Sequence, residues 1–94
     1  MNDEDFEWDD AKAESNLKKH GISFEAARRI FDDVFALDRV DSTTDYGEDR
    51  YLITGLVNGM LLTAAYTERN GRTRIVSARK ATKREEREYH RSQT

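Results

Sequence analysis

The sequence predicts an α+β protein, an antiparallel curled sheet with two N-terminal helices packed on it and a polar helix at the C-terminal end. Three observations carry that reading. Residues 24–34 place apolar side chains at helical spacing, residues 51–79 hold three strand-like runs separated by Asn-Gly pairs, and Thr82-Lys83-Arg84-Glu85 has capping-box spacing ahead of a charged run.

The elements follow in order. Phe6-Glu7-Trp8-Asp9 alternates apolar with acidic residues, as in a short strand with Phe6 and Trp8 toward the core. Asp9 or Asp10 can cap a helix that runs to His20 and stops at Gly21. On it Ala13, Leu17 and His20 share one face, and Lys12, Asn16 and Lys19 share the next. Ser23 caps a second helix, with Glu25 favourable in its first turn. Phe24, Ala27, Ile30, Phe31 and Val34 form its core face, and Asp32-Asp33 ends it.

A weak strand from Ala36 to Ser42 and a polar connection from Thr43 to Glu48 come next. Tyr51 to Val57 is apolar on both parities, as a central strand covered on both faces would be. Asn58-Gly59 turns the chain into a strand from Met60 to Thr67, and Asn70-Gly71 turns it again into Thr73 to Arg79. The last helix, opened by Thr82 and running to about Arg91, has Tyr89 as its only large apolar residue. It reads either as a marginal, frayed end or as a surface that a partner reorders.

Length and composition bound the function. Ninety-four residues predict one domain, residues 1–94, with a small core. No cysteine is present, which removes disulfides, thiolate metal sites and a cysteine nucleophile, and fits a reducing cytoplasm. The acidic start, Met1-Asn2-Asp3-Glu4-Asp5, is the opposite of a secretory leader, and no apolar run suits a membrane span. Acidic pairs such as Asp9-Asp10, Asp32-Asp33 and Glu48-Asp49 are neighbours in sequence and do not converge as metal ligands; no metal and no cofactor are expected. Net charge is −3, but residues 1–50 carry −8 and residues 51–94 carry +5. A basic C-terminal half suits a polyanion binder, and a solvated, charge-balanced surface accounts for it equally well.

Trp8-Asp9, Lys12, Asn16, Lys19-His20-Gly21, Ser23-Phe24-Glu25-Ala26-Ala27 and Phe31-Asp32-Asp33 resemble the opening signature of the BrnT toxin family. The resemblance continues through Glu48-Asp49-Arg50, Gly55, Tyr66, Arg74 to Ala81, Glu85 and Tyr89, and so spans residues 6 to 89. It implies a RelE-like fold and a ribonuclease toxin. It also implies neutralisation by a BrnA-type antitoxin with a ribbon-helix-helix DNA-binding end, in an assembly of two toxins and two antitoxins. DNA would then be met only through the antitoxin.

A metal-free ribonuclease must deprotonate a 2′-hydroxyl, stabilise the phosphorane and protonate the leaving 5′-oxygen. Guanidinium suits the second task, and Arg50, Arg74 and Arg79 are the candidates. Residues 74 and 79 fall on opposite faces of a regular strand, so either a bulge near Ser77 turns it or only one arginine belongs to the site. Arg79, at the strand end, is favoured, against a structural ion pair with Glu48 or Glu85. His20 is the acid or base by pKa, or a helix-end cap. Lys12 could hold a phosphate or sit in an exposed salt bridge. Tyr66 and Tyr89 could stack bases or donate a proton, although the alternation turns Tyr66 inward. Glu48 is a base or a partner for Arg50, and Lys80, Lys83 and Arg84 extend a basic surface for RNA. His90 and Trp8 read as structural or solvent-exposed. The other reading of the chain is a non-catalytic binding module that acts as co-repressor with the antitoxin.

Overall fold

β1 (Phe6–Glu7) leads directly into α1 (Asp10–His20), and the helix ends are set by local chemistry. The Asp9 carboxylate accepts the Lys12 N–H at 3.0 Å, and Gly21, at φ 72°, returns its N–H to the Leu17 carbonyl at 2.8 Å. A computed structural model describes residues 1–41 and 49–93 of the chain. The Thr43–Glu48 connection and Ser42 therefore lie outside the described residues. Among those described, no helix is long and apolar enough to cross a membrane.

The inward face of α1 differs from the expected one. Leu17 is half exposed and Asn16 is buried. Asn16 Nδ2 donates to the carbonyls of Ile22 and Ala78, both at 2.9 Å, and its Oδ1 accepts the Ala78 N–H at 3.1 Å. One side-chain amide thus satisfies both backbone groups of a strand residue, as a neighbouring strand would.

α2 (Phe24–Ile30) is capped by Ser23 and is shorter than its apolar repeat suggests. Phe31, Asp32 and Asp33 donate three residues back, to the carbonyls of Arg28, Arg29 and Ile30, and the helix tightens and ends. Asp33 then holds the departing chain, accepting from the Phe35 N–H at 2.9 Å and from the Leu56 N–H at 2.8 Å. Val34, expected in the core, is instead 89% exposed.

The sheet has the order β1-β5-β4-β3-β2, built from β2 (Leu37–Val40), β3 (Tyr51–Val57), β4 (Met60–Arg69) and β5 (Arg72–Lys80). Neighbours from β2 to β5 are antiparallel. β1 joins the outer edge of β5 in parallel, Phe6 opposite Thr73 and Glu7 opposite Arg74, which makes the sheet mixed. Both turns form as their residues dictate: Asn58, Gly59, Asn70 and Gly71 all have positive φ.

The central strand is β4, not β3. Its residues Leu62 to Thr67 are all buried, and four of these six are Ala or Thr. Small side chains let structure pack closely on both faces of that strand. On the helix-covered face, Trp8, Phe24, Ala27, Ile30, Ile53, Leu62, Ala64, Ile75 and Ala78 form the core. A run of aromatic rings, Phe6, Phe31, Tyr66 and Tyr51, extends it with centroids 5.1–5.4 Å apart.

Candidate functional site

The other face of the sheet is crossed by α3 (Lys83–Arg91). Thr82 Oγ1 accepts the Glu85 N–H at 3.1 Å and the Glu85 carboxylate accepts the Thr82 N–H at 2.8 Å, the reciprocal pair read from the spacing. The helix is docked at its other end too. Tyr89 is buried, and its hydroxyl donates to Asp33 at 2.5 Å. A frayed C-terminal end is therefore not what is found.

Glu85 is 5% exposed and gathers five donors. Arg79 donates twice, Nη1 to Oε1 at 2.7 Å and Nη2 to Oε2 at 3.1 Å, in the forked geometry suited to a carboxylate. Arg39, from edge strand β2, donates to Oε2. Thr63 Oγ1 donates to Oε1 at 3.0 Å and is itself 2.7 Å from Thr54 Oγ1. Burial alone would raise the carboxyl's pKa, but the hydrogen bonds from Arg79, the Thr82 N–H and Arg39 hold it at about 2. The same hydrogen bonding from Glu85, against burial, pushes Arg79 above its ordinary value. Both groups are fully charged at neutral pH.

Around this hub lies a cavity of about 600 Å³. Arg39, Asp41, Arg50, Arg79, Arg84, Glu85 and Glu88 supply its charges, Ser77 and Thr82 its hydroxyls, and Leu52 and Ala65 part of its apolar lining. The register explains the convergence. Arg39 pairs with Leu52, Leu52 with Ala65 and Ala65 with Ser77, so these positions form one row across the face that α3 crosses, with Arg79 two residues on.

Of the residues singled out in the sequence, the fold brings Arg50, Arg79 and Arg84 together here. Arg84 also pairs with Glu88 at 3.2 Å. A bulge does turn β5: Ala65 faces Ser77 whereas Tyr66 faces Ile75, leaving Val76 as the extra residue. Arg74 consequently shares a face with Arg79, yet it lies outside the cavity, paired with Glu7 of β1 at 2.5 Å. Lys12 and His20 are exposed on α1 and Lys80 and Lys83 are exposed on β5 and α3; none of the four lines the cavity.

Two tyrosines are corrected by their burial. Tyr66 is 7% exposed on the helix-covered face and donates to both oxygens of Asp38, at 2.7 and 2.9 Å. Burial and the Asp38 hydrogen bond push its pKa up. The Tyr89 ring is spent on docking α3, and burial with the Asp33 bond raises its pKa as well. Neither ring offers a stacking face to RNA. Glu48 lies outside the described residues. Sequence reasoning passed over Arg39, whose only local sign is its alternation with Asp41 along a weak strand, and it read Glu85 as a capping residue and one of two partners for Arg79. Among the described residues no group of three or more histidines and carboxylates is placed to hold a metal ion.

Residues 8–85 match the family model of ribonuclease toxins, BrnT, of type II toxin–antitoxin systems. The chain belongs to the BrnT family. The matched span is narrower than the resemblance read from residues 6 to 89. It starts at the buried Trp8 and ends at Glu85, and all the cavity residues of this BrnT chain except Glu88 fall within it. A comparison with curated proteins gave no match. BrnT proteins are ribonuclease toxins with an antitoxin partner, which makes a cavity bearing four arginines the first place to look for RNA chemistry in this one.

Proposed function

We propose that the chain is a metal-independent, RelE-like endoribonuclease that inhibits translation and growth by cutting RNA in the arginine-lined cavity. The observation that carries this reading is Arg79. It is a guanidinium held by two hydrogen bonds to a buried carboxylate, at the rim of the cavity described above, in a member of a ribonuclease toxin family. A pre-oriented fork of this kind stabilises the extra charge of a phosphorane with little reorganisation. The 2′-hydroxyl gives up its proton and attacks its own 3′-phosphate, the P–O5′ bond breaks as the 5′-oxygen takes up a proton, and a 2′,3′-cyclic phosphate end remains beside a free 5′-hydroxyl. Arg50 and Arg84 supply further positive charge for the flanking phosphates. Glu85 is not the base: its lone pairs are already filled by five donors.

The partner in this reading is a BrnA-type antitoxin with a ribbon-helix-helix end, in a complex of two toxins and two antitoxins within the cytoplasm. The acidic N-terminal segment and α3 meet a basic stretch of the antitoxin, and DNA is reached only through it.

The test is incubation of purified, antitoxin-free protein with ribosome-free RNA in excess chelator. Cleavage with cyclic-phosphate ends is the expected result, reduced about 100-fold or more in Arg79→Ala with unchanged circular dichroism. Arg79→Ala that cuts as well as the parent removes Arg79 from the site. Growth arrest in cells without cleavage of free RNA would point to the ribosome-bound substrate. Neither activity, with tight antitoxin binding, would leave the co-repressor reading.

A further inference from the structure

We propose that Arg39 is a second phosphate-binding residue of the cavity, forming with Arg79 a two-guanidinium clamp that Glu85 positions from behind; this rests on the ribonuclease reading above. The two arginines reach the site from unrelated places, Arg39 from edge strand β2 and Arg79 from the end of β5. They meet because both donate to one buried carboxylate, Arg39 and Arg79 Nη2 sharing Oε2 while Arg79 Nη1 takes Oε1.

Charge decides what this arrangement is for. A buried carboxylate is compensated by one forked guanidinium, and Glu85 has that in Arg79. Its oxygens also accept from the Thr82 N–H and the Thr63 hydroxyl. A second arginine on the same carboxylate leaves the trio with a net charge of +1. Arg39 and Arg79 are about equally exposed, 37% and 36%, against 6% for the Glu85 side chain. The excess positive charge is therefore presented outward, into the cavity both arginines line. Each guanidinium has five N–H donors. Among the described residues, Arg39 uses one on Glu85 and Arg79 uses two, with a third from Nη1 to the Lys80 carbonyl at 3.3 Å. Enough donors remain on the pair to grip the non-bridging oxygens of one phosphate from two sides. The ligand class is a phosphodiester of single-stranded RNA, seated across the row that Leu52, Ala65 and Ser77 define.

A positioning carboxylate with two phosphate arms makes a claim that a structural salt bridge does not, because the phosphate contacts have a salt signature. The experiment measures binding of a single-stranded RNA oligonucleotide with 2′-deoxy substitutions, which blocks cleavage, from 50 to 200 mM salt. The parent protein is compared with Arg39→Gln and with Lys18→Gln, an equal charge loss on exposed α1. Arg39→Gln is expected to weaken binding about 10-fold at 50 mM salt and to make the slope of log affinity against log salt shallower by about 0.7, the loss of one single-strand phosphate contact. Lys18→Gln leaves both unchanged. Arg39→Lys, which keeps the charge without the fork, restores the slope but only part of the affinity. Thermal melts of all three variants show whether the fold is kept. If Arg39→Gln is folded and binds with the parent's affinity and slope, Arg39 is an ordinary ion pair and the clamp is overturned while the ribonuclease reading stands. If the parent neither binds nor cuts RNA, both fall together.

Discussion

Asn16 and Glu85 each do at the residue scale what an entire element does elsewhere. Asn16 closes the outer edge of β5 where two-residue β1 has already ended, bonding the N–H and C=O of Ala78. Asn16→Ala would strand those groups and the Ile22 carbonyl in a buried site. We expect a loss of about 2–4 kcal/mol in chemical denaturation, with cooperativity retained. Asn16→Asp should recover little, because it keeps one acceptor and loses both donated bonds. Glu85 makes a pH prediction. Its carboxyl ionises near 4.5 in an unfolded chain and at about 2 when folded, so between these values the unfolded state binds more protons. The stability it contributes is complete above about pH 4.5 and is lost as pH falls toward 2. Glu85→Gln should be less stable than the parent at pH 7 and should have a flatter stability curve between pH 4.5 and 2. Parallel acid limbs in the two proteins would refute that. Asn16's role was not legible beforehand, and Glu85's was legible only as a cap and as one of two partners offered for Arg79. A lone asparagine among lysines carries no mark of burial, and the capping box explains Glu85 without needing two arginines.

Gly55 shows how tightly the elements are fitted. A Cβ on it would stand 3.0 Å from Ile30 Cγ2 and 3.2 Å from both Ala36 Cβ and Asp33 Oδ2. The end of α2, the chain leaving it and β3 all meet at that point. Gly55→Ala should therefore cost about 1–3 kcal/mol, read as a lowered melting temperature, and should loosen the Asp33 contacts that hold Leu56 and Tyr89. At this scale the sequence was largely readable. Caps at Asp9, Ser23 and Thr82, stops at Gly21 and both Asn-Gly turns form as their chemistry requires. The failures are informative. Apolar periodicity put Val34 on the core face of α2, beyond the Asp32-Asp33 stop, because it cannot see Asp33 capturing the chain. Hydrophobicity chose β3 as the central strand, whereas a strand packed on both faces also needs small side chains, and β4 has them. Bulge position follows from pairing register, which is a property of two strands, so sequence could only offer it as one alternative.

At the scale of the molecule, folding partly cancels the opposed charges of the two halves. Glu7 pairs with Arg74 across the two halves, and the Asp3 carbonyl accepts from Arg72 Nε at 2.5 Å, while the Asp3 carboxylate pairs within its own half, with Arg28 at 2.5 Å. The acidic start is thereby laid along the basic strand β5, and the arginines gathered in the cavity lie elsewhere on that face. Charge counted along the chain pointed to a polyanion partner but not to which cations would meet it, because that depends on which acids the fold brings near. One joint in this arrangement couples two equilibria. The carboxylate that closes the first turn of α3 is the same one that holds Arg39 and Arg79. Peeling α3 away releases both arginines, so local unfolding of that helix and disassembly of the cavity are one event. By reciprocity, an anion seated between the arginines must lower the equilibrium constant for opening α3 by the factor that opening weakens its hold on the anion. Amide hydrogen exchange at residues 86–91 would thus report occupancy of the pocket between the arginines.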